Sequence, residues 1–168
     1  HKNLSVAAQA REVRRVKKAM TGVITDPVTL GPQASLREAR GLMREHGING
    51  LPIVDGDRVV GILTNRDLRY ERNLDRPVAN AMTREALITC PPGTDLEHAR
   101  DLMQEHRVEK LLVVDGDNRL RGLITFKDVE ANTRHPYAVR DERGRLRCGA
   151  AVGVGGDREE RVAALLEA

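Results

Sequence analysis

Two segments of the chain share a residue spacing that could hold a phosphorylated sugar: Gly61-Ile-Leu-Thr64-Asn-Arg66-Asp67 and Gly122-Leu-Ile-Thr125-Phe-Lys127-Asp128. In each, an apolar strand-like run ends at a threonine and a helical pattern begins just beyond it. The hydroxyl and backbone N–H groups at such a helix start can face a phosphate. A carboxylate three residues on lies about one helical turn further along. There it can accept both hydroxyls of a ribose, as acidic residues do in other nucleotide sites. Arg66 and Lys127 add positive charge for phosphate. The same residues would also serve as ordinary helix caps, with Asp67 and Asp128 favouring the helix dipole. Their recurrence in the same strand-to-turn context favours the ligand reading.

The recurrence extends well beyond these segments. Ser35 to His46 reads onto Asp95 to His106 at an offset of 60 positions, and Leu51 to Asp57 reads onto Leu111 to Asp117. Ala19-Met20-Thr21 and Ala81-Met82-Thr83 precede the two copies. Two copies of this length are a duplicated small module rather than a solenoid, and they are expected to pack about a pseudo-two-fold axis. Ser35 with Glu38 has the form of a capping box, and Asp95 caps the equivalent helix. Leu36, Ala39, Leu42 and Met43 fall on one helical face, as do Leu96, Ala99, Leu102 and Met103, and both stripes read as core. Asp55-Gly56-Asp57 and Asp115-Gly116-Asp117 are turns, each joining two short apolar strands into a hairpin. An initial strand falls near Val28-Thr29-Leu30 and near Leu87-Ile88-Thr89. Each copy therefore has the order β-α-β-β-α.

Composition excludes several classes. The 168 residues are 40% apolar, enough for a core and too much for a disordered chain. Basic and acidic residues number 28 and 25 and are interspersed, so the net charge of +3 marks no dedicated polyanion surface. Aromatic residues are 2% of the chain, which removes base stacking on rings as a way of holding nucleic acid. The basic run from Arg14 to Lys18 recurs at helical spacing and reads as a solvated helix face. Cys90 and Cys148 supply neither a disulfide framework nor a zinc set. Neither sits in the Gly-rich context of an activated thiol. His46 and His106 end helices, where a cation suits the dipole. The Asp-Gly-Asp turns lack the loop and closing Glu of a calcium site, and no metal ligands are expected. No apolar run reaches the length of a membrane span, and a cytoplasmic location is the expectation. The opening at His1-Lys2-Asn3 and the end within a helical pattern lead to the expectation of a piece of a longer protein.

The lead-ins, the Leu51-Pro52-Ile53-Val54-Asp55 strand and the two Gly-x-x-Thr-x-x-Asp segments resemble CBS motifs. The pair, over about residues 20 to 132, resembles a Bateman module. That resemblance implies a purine nucleotide held between the motifs, with Asp67 or Asp128 on the ribose and Thr64 or Thr125 helping to hold phosphate. Gly50-Leu51-Pro52 and Lys110-Leu111-Leu112 would frame the base. The flanks, His1 to Ser5 with Gln9 to Lys17 and Asp141 to Gly156, resemble the IMP dehydrogenase family. This likeness implies an α/β fold in which the CBS pair is inserted between segments of a (β/α)8 TIM barrel. Residues 1–19 would be a barrel segment, 20–78 and 79–135 the two CBS motifs, and 136–168 a barrel strand at Leu146–Val154 with the helix after it. The parent would oxidise IMP to XMP with NAD and K+, using a Gly-rich Cys loop that this stretch lacks, so the stretch alone is expected to be inactive. ATP with Mg2+, or another purine nucleotide, is the implied allosteric ligand. The implied partners are copies of itself, as a tetramer or octamer; membrane and nucleic acid are not expected. The alternatives are a ligand-independent dimerisation module, or a CBS pair from a different enzyme or transporter.

Overall fold

The computed structural model describes residues 3–18, 22–135, 137–141 and 145–168. His1, Lys2 and the first lead-in, Ala19 to Thr21, lie outside the described residues. The chain divides into two compact units, one of residues Ile24–Phe126 and one joining His1–Val23 to Lys127–Ala168.

Within the 24–126 unit, helix α2 (Leu36–His46) starts where Ser35 Oγ accepts the Glu38 N–H at 3.1 Å. It buries Leu36, Ala39 and Met43 and stops at Gly47, whose φ of 64° is open to glycine at little cost. Strands β1 (Gly50–Asp55) and β2 (Arg58–Thr64) pair antiparallel, and the short helix α3 (Asn65–Leu68) follows at once. Leu36, Ala39, Met43, Leu51, Ile53, Leu63, Leu68 and Val78 form the core of this first copy.

The second copy repeats the plan with β3 (Thr89–Cys90), α4 (Leu96–His106), β4 (Lys110–Val114) and β5 (Leu120–Thr125). Asp95 caps α4 by accepting the His98 N–H at 2.8 Å. Both hairpins carry a register shift at equivalent places, Ile53/Val54 and Val113/Val114. The repeat read in the sequence is thus reproduced down to an irregularity of pairing. The initial strands are shorter than their apolar runs suggest. In the first copy only Leu30 bridges, in parallel, to Ile53; in the second, β3 begins at Thr89 and has two residues. Pro27, Pro32, Pro91 and Pro92 flank these runs and have no N–H to extend a ladder.

The copies are stitched together by backbone. The Val59 N–H donates to Asn118 O at 3.0 Å and the Leu120 N–H to Asp57 O at 2.9 Å, a reciprocal pair across an approximate two-fold. Val59, Leu112 and Leu123 are buried together, with Ile24, Val54, Ile62, Leu87, Val114 and Leu120 around them. The connection between copies also closes over the start of α2. There the Leu36 and Arg37 N–H groups donate to Arg76 O and Leu74 O at 3.0 and 2.8 Å.

In the other unit, helix α1 (Val6–Lys18) packs against α6 (Arg158–Leu166), and both fall where the helical patterns place them. Helix α5 (Phe126–Arg134) starts at the last residue of the 24–126 unit and continues into this one. The expected strand at Leu146–Val154 is not formed. Leu146 makes one isolated bridge to Arg140, and Val154 is 95% exposed. An inner strand of a parallel barrel needs a ladder on both sides, and the described residues supply none for this segment.

Candidate ligand-binding site

The first Gly-x-x-Thr-x-x-Asp segment folds into a tight local unit. Thr64 ends β2 in extended conformation, and Asp67 lies three residues on, in the first turn of α3. The Thr64 backbone N–H and its Oγ1–H both donate to the same oxygen, Asp67 Oδ2, each at 2.7 Å. The carboxylate is therefore fixed in direction by the residue that precedes the helix. Its Oδ1 has no partner among the described residues. Thr64 and Asp67 are half-buried, and Arg66 is exposed beside them.

The strand pairing brings the predicted base-framing residues to the same place. Gly50 is the register partner of Thr64, and the Asn65 N–H donates to Asn49 O at 3.0 Å. In the second copy Lys110 is the partner of Thr125, and the Phe126 N–H donates to Glu109 O at 2.9 Å. The two strand-to-helix junctions are thus built alike. They also meet: a β-carbon on Gly50 would lie 2.8 Å from Lys110 Cε and 3.2 Å from Leu63 O. The Lys110 stem occupies the space a side chain at position 50 would need.

Other predicted residues take less direct places. Leu51 is part of the first copy's core and Leu112 of the core between copies, while Pro52 and Leu111 are fully buried. Leu51, Pro52, Leu111 and Leu112 therefore present almost no surface, side chain or backbone, at this junction. Thr125 is half-buried at the end of β5, Lys127 is exposed, and Asp128 is buried in the first turn of α5.

The sequence did not point to the wall behind β2. A β-carbon on Gly61 would lie 2.6 Å from Met82 Sδ and 2.9 Å from Thr83 O. Thr83 and Ile62 exchange both backbone hydrogen bonds, at 3.0 and 2.9 Å. Ile24 and Leu123 do the same at 2.8 and 2.9 Å. A residue leading into each copy, Thr83 for the second and Ile24 for the first, therefore backs the Gly-x-x-Thr strand of the other copy. The residue that plays Thr83's part in the first copy is Ile24, a few residues beyond the matching Ala-Met-Thr. The signal available in the sequence was Gly61 itself, a glycine inside an apolar strand, which marks a close backbone approach.

No group of three or more His, Cys, Asp or Glu side chains that could hold a metal ion occurs among the described residues. His46 and His106 are exposed. Burial pushes the Cys90 thiol above its ordinary value, and a hydrogen bond with Thr94 opposes this in part. No described helix is long and apolar enough to cross a membrane.

The CBS domain family matches residues 13–73 and 78–131. Over its full length the chain is 49% identical to an inosine-5'-monophosphate dehydrogenase of Streptococcus pyogenes and 46% identical to one of Aquifex aeolicus. It spans 35% of the length of each. Among solved structures it resembles the GMP reductase of Trypanosoma brucei in complex with guanosine 5'-triphosphate, with a TM-score of 0.83 and 29% identity. That match covers 99% of this chain and 41% of the reductase. A separate CBS domain structure matches 66% of this chain and 89% of its own, with a TM-score of 0.60 and 28% identity.

Proposed function

Because the chain belongs to the CBS domain family, we propose that its paired copies form a regulatory module for a purine nucleotide, ATP with Mg2+ first among the candidates. The observation that carries this reading is the Thr64–Asp67 unit. Two donors on one carboxylate oxygen hold Asp67 in place and leave Oδ1 to accept ribose hydroxyls. The Thr64 hydroxyl proton is committed to Asp67, so Thr64 orients the carboxylate rather than reaching for phosphate. Charge for the phosphates then comes from Arg66, with Lys127 in the same role in the second copy. Mg2+ would arrive with the triphosphate and neutralise it, since no carboxylate cluster of the chain is needed to hold the ion. The guanosine triphosphate in the resembling GMP reductase structure supports a purine ligand.

The same reading places this stretch in an IMP dehydrogenase that oxidises IMP to XMP with NAD and K+. The likeness to such enzymes runs through both flanks as well as the CBS pair. The division of the chain supports it too: residues 24–126 interrupt a unit built from the two ends, as an inserted module would. Nucleotide binding at a site distinct from the reaction would then be allosteric in the thermodynamic sense. Self-association would be the readout, in a cytoplasmic enzyme.

Calorimetric titration of ATP, ADP, AMP and GTP into the chain tests the reading, with Asp67→Ala and Asp128→Ala as controls. At least one nucleotide binds, and each substitution weakens its own site tenfold or more, about 1.4 kcal/mol. Absence of binding by all four overturns the regulatory reading. Binding left intact by both substitutions overturns the site.

A further inference from the structure

The unit made from the two ends of the chain holds a charged side chain at its centre. Arg161 on α6 is 9% exposed, and Gln9 on α1 is 4% exposed. Arg161 Nη1 donates to Gln9 Oε1 at 2.6 Å and to Leu4 O at 3.0 Å, and Nη2 donates to Asp157 Oδ2 at 2.5 Å. Gln9 Nε2 donates onward to Ala151 O at 3.1 Å. Four pieces of chain converge here: Leu4 just before α1, α1 itself, the irregular segment at 151, and the start of α6. Arg161 and Gln9 are 152 positions apart in sequence.

We propose that Gln9 and Arg161 act as a single buried polar latch that sets the register of α1 against α6. Apolar contacts between two helices tolerate sliding, and the buried faces here are small, with Ala10 at 1% exposure among them. A guanidinium satisfied by one particular carbonyl, one amide oxygen and one carboxylate does not tolerate sliding, because any shift strands a buried donor. Gln9 is held at both ends of its amide, so it passes the same register to Ala151. The latch lies within one unit and needs nothing from residues 24–126. The ends of the chain can thus hold together whatever state the intervening unit adopts.

The test is segment-resolved hydrogen exchange on the full chain, for Gln9→Leu, Arg161→Met, Arg161→Lys and the double variant Gln9→Leu/Arg161→Met. Gln9→Leu speeds amide exchange in α6 at least tenfold, and Arg161→Met does the same in α1. Arg161→Lys does not restore protection, since an ammonium cannot serve the forked acceptors. The double variant exchanges more slowly than either apolar single, because it leaves neither a guanidinium N–H nor the Gln9 amide oxygen buried without its partner. In all four, residues 24–126 keep their wild-type exchange. The proposal is overturned if exchange in the partner helix stays within twofold of wild type. It is equally overturned if the double variant loses the sum of the singles, or if protection of 24–126 falls together with that of the helices.

Discussion

Asp67 and Asp115 show how differently two carboxylates can be used, one at a helix start and one in a hairpin turn. Asp67 is oriented by Thr64, which engages only one of its oxygens, Oδ2. Asp115 closes the second hairpin turn upon itself. It accepts the Arg119 N–H at 3.0 Å, the Arg121 Nε–H at 2.8 Å and the Asp117 N–H at 3.0 Å. Those bonds, the Arg119 backbone first, hold its carboxyl below the usual carboxylate range against a smaller opposing effect of desolvation. A carboxyl depressed in the folded state stabilises the fold above its unfolded value, near 3.9, and that stabilisation is lost as pH falls through the lower folded value. Urea midpoints measured between pH 6 and pH 2 will therefore drop less on acidification in Asp115→Asn than in the wild type. Cys90 gives a second residue-scale prediction. Buried and raised, its thiol will resist a maleimide at pH 7 in the native chain, while the half-buried Cys148 is labelled first. Peptide mapping after brief labelling reads the order. The Thr64–Asp67 unit was legible in the sequence because it is local. The meeting of Gly50 with Lys110 was not, because spacing along a chain says nothing of which residues face each other across a two-fold.

The two equivalent helices end in the same backbone conformation with different residues. Gly47 at φ 64° closes α2, and Arg107 at φ 53° closes α4. A residue with a β-carbon is disfavoured in the left-handed region by about 1–2 kcal/mol, part of which glycine gives back through its freer unfolded chain. Arg107→Gly should accordingly stabilise the 24–126 unit by about 0.5–1 kcal/mol, read as a higher urea midpoint with unchanged slope. Caps, helix faces and hairpin turns were all readable, since each is fixed by residues within a few positions. Strand lengths were less so. Prolines cut the initial strands to one bridge and two residues. The run at 146–154 looks like a strand by its apolar residues, yet a strand exists only with partners to bond. Its glycines and small side chains hold no conformation alone, so it is irregular and mostly exposed.

The two units differ in how much they bury. The 24–126 unit has most of the fully buried large side chains, among them Leu36, Leu51, Ile53, Leu63 and Leu112. The terminal unit leaves Val154 at 95% and Leu166 at 80% exposure and buries little beyond Ala10, Asp128, Val129, Ala168 and the Gln9–Arg161 pair. Local opening follows low apolar burial and exposed backbone. Limited proteolysis of the native chain should cut first within residues 145–157, with 24–126 surviving as the resistant product. First cuts inside β1–β2 or β4–β5 would contradict this ranking.

The exchange of lead-ins carries a consequence for how such a chain could arise. Ile24 backs Leu123 and Thr83 backs Ile62, so neither copy supplies its own outer ladder. A copy standing alone would present β2 or β5 as an open edge, the usual invitation for another chain to pair. Its natural resolution is a second molecule in the same pose. The tandem chain is in this respect a dimer whose partner is tethered, with concentration replaced by linker length. Tethering lets the halves differ: glycine stands at position 50 and lysine at the matching position 110. Two identical subunits could not differ in this way.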